Sequence, residues 1–266
     1  MAGFDSTDGR LRGLMFEDGN RIRFVQPVDD AGRTWWLERF YDTHGLTPED
    51  MGDAITRSVV TKKSIRYDFI DGVGKAFSLR VEGRFADAGE IWFVERTLNL
   101  SGSVFNADEM FIPEGDAGEG RGRKLMADLV GTCKLVGVSS IKLDARRIGR
   151  YAWLRIGFRP DLGSWKDLRR TLLAGIYSFE DSLGAGVVGE LARRIANGRE
   201  DTANFLAALE NPVPSPSLFD ADGRPRKVPL GKALFLDFGG DWSGEYIVGD
   251  PDTDRITKLY LGGESG

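Results

Sequence analysis

Phe111-Ile112-Pro113-Glu114-Gly115-Asp116-Ala117-Gly118-Glu119-Gly120-Arg121-Gly122-Arg123-Lys124-Leu125-Met126 joins two different periodicities. Before it, Val104 to Pro113 reads as a strand. After it, Leu125, Leu129, Val130 and Cys133 recur at helical spacing, which predicts an amphipathic helix over about Arg123 to Val136. A strand, closely spaced glycines and then a helix make an anion-binding device. Glycines let the backbone turn sharply and bring N–H groups near a ligand, and the helix N-terminus adds a favourable dipole. Arg121, Arg123 and Lys124 would add charge-assisted contacts to phosphate oxygens. A P-loop requires Ser or Thr after its lysine, but Lys124 is followed by Leu125. A Rossmann fingerprint requires G-x-G-x-x-G in a parallel β-α-β unit, whereas here G-x-G-x-G follows strands that read as antiparallel.

Those strands are Lys75 to Phe85 and Glu90 to Leu100, with Ser101-Gly102 as a tight connection to Val104–Pro113. Upstream, Arg21 to Val25 alternates as a half-buried strand does, and Thr34 to Thr43 reads as a helix. Thr47-Pro48-Glu49-Asp50 has the form of an N-cap, with proline opening a helix to about Val60. Downstream, Val138 to Leu143 is a further strand, expected parallel to Val104–Pro113 after the crossover helix. A short helix, Arg147 to Ile156, ends at Gly157. The fold class implied is α/β (α+β), a mixed, mainly antiparallel sheet flanked by helices.

From Gly118 to Arg170 there are 13 Lys/Arg against 5 Asp/Glu, a balance of +8, so the remainder of the −5 chain sums to −13. A basic block inside an acidic protein favours a particular polyanionic ligand over general affinity for nucleic acid. A single cysteine excludes an intramolecular disulfide framework, and with one histidine a Cys/His zinc site, or any other metal, is not expected. Cys133 falls on the apolar face of its helix and reads as core, while His44 beside Gly45 reads as a helix-end residue. No apolar run approaches a membrane span and no signal-peptide pattern opens the chain, so no membrane partner and a cytoplasmic location are expected.

Phe111-Ile112-Pro113-Glu114 and Gly118 to Met126 together resemble the cofactor-binding motif of the GNAT N-acetyltransferase superfamily. Ile141 to Ala145 resembles the next strand of that fold. Tyr151-Ala152-Trp153-Leu154-Arg155-Ile156-Gly157-Phe158 is similar to the family's closing motif. The resemblance covers roughly Arg21 to Pro160, and more loosely the chain resembles GNAT-like modules of phage and prophage proteins. It implies acetyl-CoA or another acyl-CoA as cofactor and an amine-bearing acceptor, whether small molecule, peptide or nucleic-acid-linked group. The cofactor would be held by Phe111, Ile112, Gly118, Glu119, Gly120, Arg121, Gly122, Arg123 and Lys124. The chemistry implied is attack of the amine on the acyl thioester, with a side-chain base and an oxyanion contact from a backbone N–H near Phe111 or Ile112.

Strict alternation places Asn106, Asp108, Met110 and Ile112 on one face of their strand and Glu109 with Phe111 on the other. Asp108 is therefore the first candidate base, followed by Glu95 and Glu109. The chain departs from the family at two points. Ala117 or Asp116 stands where an Arg or Gln usually precedes the glycines, and Trp153 stands where the family's proton-donating tyrosine often is. Tyr151 is the nearest hydroxyl. These departures leave open a catalytically silent GNAT-fold binding or assembly module.

The organisation expected is an acyltransferase domain over 1–162 and a mostly helical extension over 163–266, with a Pro-rich linker at 211–217 and a terminal strand pair. The pair would be Ala233 to Phe238 and Glu245 to Val248, with Trp242-Ser243-Gly244 as a turn. The extension would cover the acceptor cleft, form a homodimer or bind a partner; its composition does not choose among these. Asp220-Ala221-Asp222-Gly223 lacks the remaining ligands of a calcium loop.

Overall fold

The computed structural model describes residues 14–70, 76–85, 90–99, 103–113 and 120–262. The Ser101-Gly102 connection, the segment from Glu114 to Glu119 and the first residues of the chain lie outside them. The chain divides into two compact units, Met1–Ile141 and Lys142–Gly266, with the boundary inside one strand.

In the first unit the strands run in the order β1 (Ile22–Phe24), β2 (Lys63–Ile70), β3 (Ala76–Arg84), β4 (Ile91–Asn99) and β5 (Val104–Phe111). The three predicted strands are the antiparallel neighbours β3, β4 and β5. Strand β2, which the sequence reading passed over, pairs antiparallel with β3 from Lys63↔Gly83 to Ile70↔Ala76, and β1 lies parallel to it. After helix α3 (Arg121–Val136), Ser139 N donates to Ser103 O at 2.9 Å, so β6 (Ser140–Ala145) begins beside the start of β5. This is the parallel return expected of a crossover helix.

Alternation gives the sheet one apolar face. Ile65, Tyr67, Phe77, Leu79, Val81, Trp92, Val94, Leu98 and Phe105 are all buried on it. Helices cover that face because each carries a matching stripe. Helix α1 (Asp30–Trp36) continues through a π-helical turn (Leu37–Tyr41) to Asp42–His44 and delivers Trp36 and Phe40. Gly45 caps that end at φ +67°, beside His44 as expected. Helix α2 (Pro48–Ala54) opens with the predicted cap: Asp50 N donates to Thr47 Oγ1 and Thr47 N to the Asp50 carboxylate. It lies close on β2 because Gly52 has no side chain; a Cβ there would sit 2.7 Å from Ile65 Cδ1. Tyr67 Oη donates to Pro48 O at 2.8 Å and ties the helix start to the same strand.

Trp36 is fully buried, with ring centroids 4.7 Å from Phe40, 5.2 Å from Phe77 and 5.5 Å from Tyr67. Its indole N–H donates to Leu46 O at 3.0 Å. Trp36→Ala opens a cavity and strands that carbonyl. The expected loss is about 3–5 kcal/mol, read as a fall in Tm on the order of 10 °C by calorimetry.

In the second unit, α4 (Gly149–Ile156) ends at Gly157 with φ +113°. Asn204 Nδ2 donates to Leu154 O (2.7 Å) and Phe158 O (2.8 Å), and Thr257 Oγ1 donates to Ile156 O (2.6 Å). Residues far downstream thus cap α4 within the C-terminal unit. This unit is mostly helical through α5 (Leu162–Gly175), α6 (Ala185–Asn197) and α7 (Thr202–Ala207), and it closes on α8 (Pro251–Gly262). No helix among the described residues is long and apolar enough to cross a membrane.

Three local readings are corrected. The Pro-rich stretch 211–217 belongs to strand β8 (Pro212–Phe219), paired antiparallel with β9 (Pro225–Pro229). Its prolines are confined to a two-stranded ribbon, where edge positions spare the missing N–H. Ala233 to Phe238 is helical, because Leu234 and Phe235 are buried on a helical turn and do not alternate. Trp242 to Gly244 opens β10 (Trp242–Ile247), paired with β7 (Arg159–Pro160). Gly244 is required by that pairing, since a Cβ there would lie 2.2 Å from Arg159 O. Asp220 serves the β8–β9 turn, its carboxylate accepting from Asp222 N and Arg224 N.

Candidate functional site

The site is built in the first unit, where β5 runs towards α3. The pairing Phe93↔Phe111, Val94↔Met110, Glu95↔Glu109 is interrupted and resumes at Thr97↔Asn106. Across the gap β4 contributes Arg96 alone and β5 contributes Ala107 and Asp108. This is a β-bulge, which bends its strand and is common beside active sites. It overturns the strict alternation expected for β5. Met110 shares the buried face of Val94, whereas Asn106, opposite Thr97, is on the other. The extra residue shifts the parity, so Asp108 is no longer assigned to the face of Ile112 by counting.

Asp108 is exposed by area, yet partial burial of its carboxyl holds its pKa above the ordinary aspartate value. Glu95 pushes the same way, while the Thr97 hydroxyl and amide and the Arg96 guanidinium oppose it. A raised carboxyl pKa suits a general base. Glu95 is less suited, because its carboxylate accepts from Arg80 Nη1 at 3.2 Å, and Arg80 also binds Glu82 at 3.1 Å. The Arg80 guanidinium lies 3.8 Å from the Phe93 ring centroid, and Phe93 stacks on Phe111 at 5.7 Å. Glu109 is exposed, opposite Glu95 in register. The structure thus brings Asp108, Glu95 and Glu109 to adjoining positions of one strand pair.

Beyond Phe111 the last strand pair is passed, and the chain re-enters the described residues at Gly120, the α3 N-cap. Gly118 and Glu119 lie outside them. Gly120 is left-handed at φ +70°, a conformation costly for any residue with a Cβ, and Lys124 N donates to Gly120 O at 3.0 Å. The first turn contains no acidic residue and presents Arg121, Arg123 and Lys124. The N–H groups that open a helix have no partner within it, so the donor set suits a phosphate. The Arg123 guanidinium folds back over the cap, 3.1 Å from where a Gly120 Cβ would be. Arg121 lies 3.9 Å from the Phe85 ring centroid, which draws it away from a purely ligand-binding role. At Gly122 a Cβ would meet Ile112 Cδ1 at 3.3 Å and Met110 Cε at 3.6 Å. Its smallness lets the helix approach the end of β5, and no unusual backbone angle is involved.

Tyr151 and Trp153 are in the second unit, on α4. The Tyr151 hydroxyl accepts from Arg155 Nη1 at 3.1 Å, and burial raises its pKa against the pull of Arg155. Trp153 packs on Phe158 at 6.0 Å, and a Cβ at Gly149 would lie 2.7 Å from its Nε1. Cys133 is buried on α3, its thiol pushed up to about 12 by burial.

The reading of the sequence did not single out Arg96, which is only 2% exposed and whose Nη1 donates to Glu95 O (2.8 Å) and Glu109 O (2.7 Å). A signal was present. Trp92, Val94, Arg96 and Leu98 form one period-2 series, so an arginine occupies a core position.

No family model and no curated protein matches the chain. Among solved structures it is similar to the crystal structure of nourseothricin acetyltransferase, at 19% identity and a TM-score of 0.28. The match covers 33% of this chain and 52% of that one, so the chain spans about half the length of the acetyltransferase.

Proposed function

We propose that the first unit is an acyl-CoA-dependent N-acyltransferase site, with acetyl-CoA as donor and an amine as acceptor. The observation that carries this reading is the bulged strand bearing Asp108, followed by a left-handed glycine cap and a basic, acid-free helical turn. Acyl-CoA would supply the thioester carbon that the amine attacks, with a C–N bond forming, the C–S bond breaking and CoA leaving as a thiolate that takes its proton from water. The α3 N-terminal amides and Arg123 bind and orient the pyrophosphate. Gly122 keeps side-chain bulk out of the approach between α3 and β5. Asp108 accepts the proton that the amine nitrogen loses. The side chains of Phe93 and Phe111 give the acceptor an apolar surface beside Glu109.

Titration calorimetry of acetyl-CoA into the full chain tests the cofactor. The expected Kd is about 10–100 μM, roughly −6.8 to −5.5 kcal/mol. Heat indistinguishable from dilution at several hundred micromolar would remove the reading. Release of free thiol across a panel of primary amines then tests transfer, and thiol release dependent on an amine is the expected result.

A further inference from the structure

We propose that Arg96 is a positioning residue of this site: from beneath the sheet, its guanidinium clamps the two carbonyls at one edge of the β4–β5 bulge and so fixes the bulged segment that carries Asp108. The inference rests on the acyltransferase reading for the role of Asp108, but the clamp itself is a matter of geometry. Nη1 reaches Glu95 O at 2.8 Å and Glu109 O at 2.7 Å, and those residues are the last pair before the register breaks. A side-chain donor therefore holds the strands together where β5 inserts its extra residue. A guanidinium suits the task because its donors are held in a rigid planar fork and it does not deprotonate readily.

A buried cation is costly unless its hydrogen bonds and charge are matched. Burial lowers the Arg96 pKa to about 10, so it remains charged at neutral pH. The titratable groups that face it are Asp108 from β5, whose carboxylate favours the charged form, and Cys133 from α3, a neutral thiol. An apolar residue would fill this core position without such cost. An arginine there has a positional role, which is to replace a ladder donor and set a positive charge beside Asp108. Removing that charge should move the Asp108 titration further upwards, since Arg96 holds it down and Glu95 pushes it up.

Amide hydrogen exchange and carboxyl NMR titration on the full chain test this without requiring turnover. In Arg96→Met, exchange over residues 95–97 and 106–110 should quicken by about tenfold or more, with β2 and β3 still protected, and Asp108 should titrate at higher pH. Arg96→Lys, which keeps the charge but not the planar fork, should restore the titration and only part of the protection. Unchanged exchange at the bulge, or a loss of protection spread equally over β2 and β3, overturns the assignment. Should Arg96→Met fail to fold, Arg96→Lys carries the test by the same local-against-spread criterion. If wild type releases no thiol yet the exchange change is local, the acyltransferase reading fails while the clamp stands.

Discussion

Asp108→Asn is expected to lower kcat/KM for amine acylation by about 10²–10⁴-fold, while acetyl-CoA binding changes less than about threefold, roughly 0.6 kcal/mol. The split follows from position. Asp108 sits at the bulge, and the α3 amides that would hold the cofactor belong to a separate element. As a base it works only when ionised, and its pKa is raised by burial. The rising limb of kcat/KM against pH should therefore lie above the ordinary aspartate range in wild type and disappear in the variant. Stability should move the other way. A carboxyl whose folded pKa exceeds its unfolded value adds stability only while protonated, and that contribution is lost as pH rises through the folded pKa. At neutral pH ionised Asp108 is thus a local liability, and Asn should leave the fold equal or slightly more stable. Steady-state kinetics and denaturant unfolding on the same preparations check both halves. A variant with near-wild-type kcat/KM would pass the role of base to Glu109 or to water.

Much of this arrangement was legible in the sequence. Period-2 alternation gave β3, β4 and β5 within a residue or two, and the cap at Thr47 and the helix after the glycines were marked by chemistry local to a few residues. The strand β2 was missed because Lys63, Ser64, Arg66 and Asp68 make four of the six residues from Lys63 to Asp68 polar, so the stretch reads as polar unless its buried partners are known. Position 211–217 was misread for a related reason: prolines argue against strands only where the N–H is needed, and the β8–β9 ribbon does not need it throughout. The site depended on counting along β5, and counting fails at an inserted residue. In Val104-Phe105-Asn106-Ala107-Asp108-Glu109-Met110-Phe111, Phe105 and Met110 face the same way although they are five apart. That parity break was visible but is meaningful only once both strands are paired. Arg96 was passed over because a charged residue is expected at the surface, and most of its justification, the Glu109 carbonyl and Asp108, comes from the neighbouring strand.

The glycines of the α3 cap should separate two physical effects that a single substitution would confuse. Gly120 is left-handed, so Gly120→Val imposes backbone strain of about 1–2 kcal/mol and displaces the Arg123 guanidinium, whose nearest atom would lie 3.1 Å from the new Cβ. It should weaken both the fold and acetyl-CoA binding. Gly122 already has helical geometry, and its added Cβ would meet only the flexible ends of Ile112 and Met110. Gly122→Ala should therefore fold like wild type. Gly122→Val, whose branches must point towards β5 or towards the bound phosphates, should weaken acetyl-CoA binding more than tenfold, about 1.4 kcal/mol or more, with a much smaller loss of stability than Gly120→Val. Arg123→Ala should cost less than Gly122→Val, because water and neighbouring donors partly replace one phosphate contact. Raising salt should shrink the Arg123 effect and leave the Gly122 effect nearly unchanged, since only the former is a screened charge interaction. Calorimetric titrations at two ionic strengths, paired with thermal unfolding of each variant, resolve the four cases. Normal acetyl-CoA binding by a folded Gly122→Val would mean that the turn before α3 does not hold the cofactor, whatever Asp108 does at the bulge.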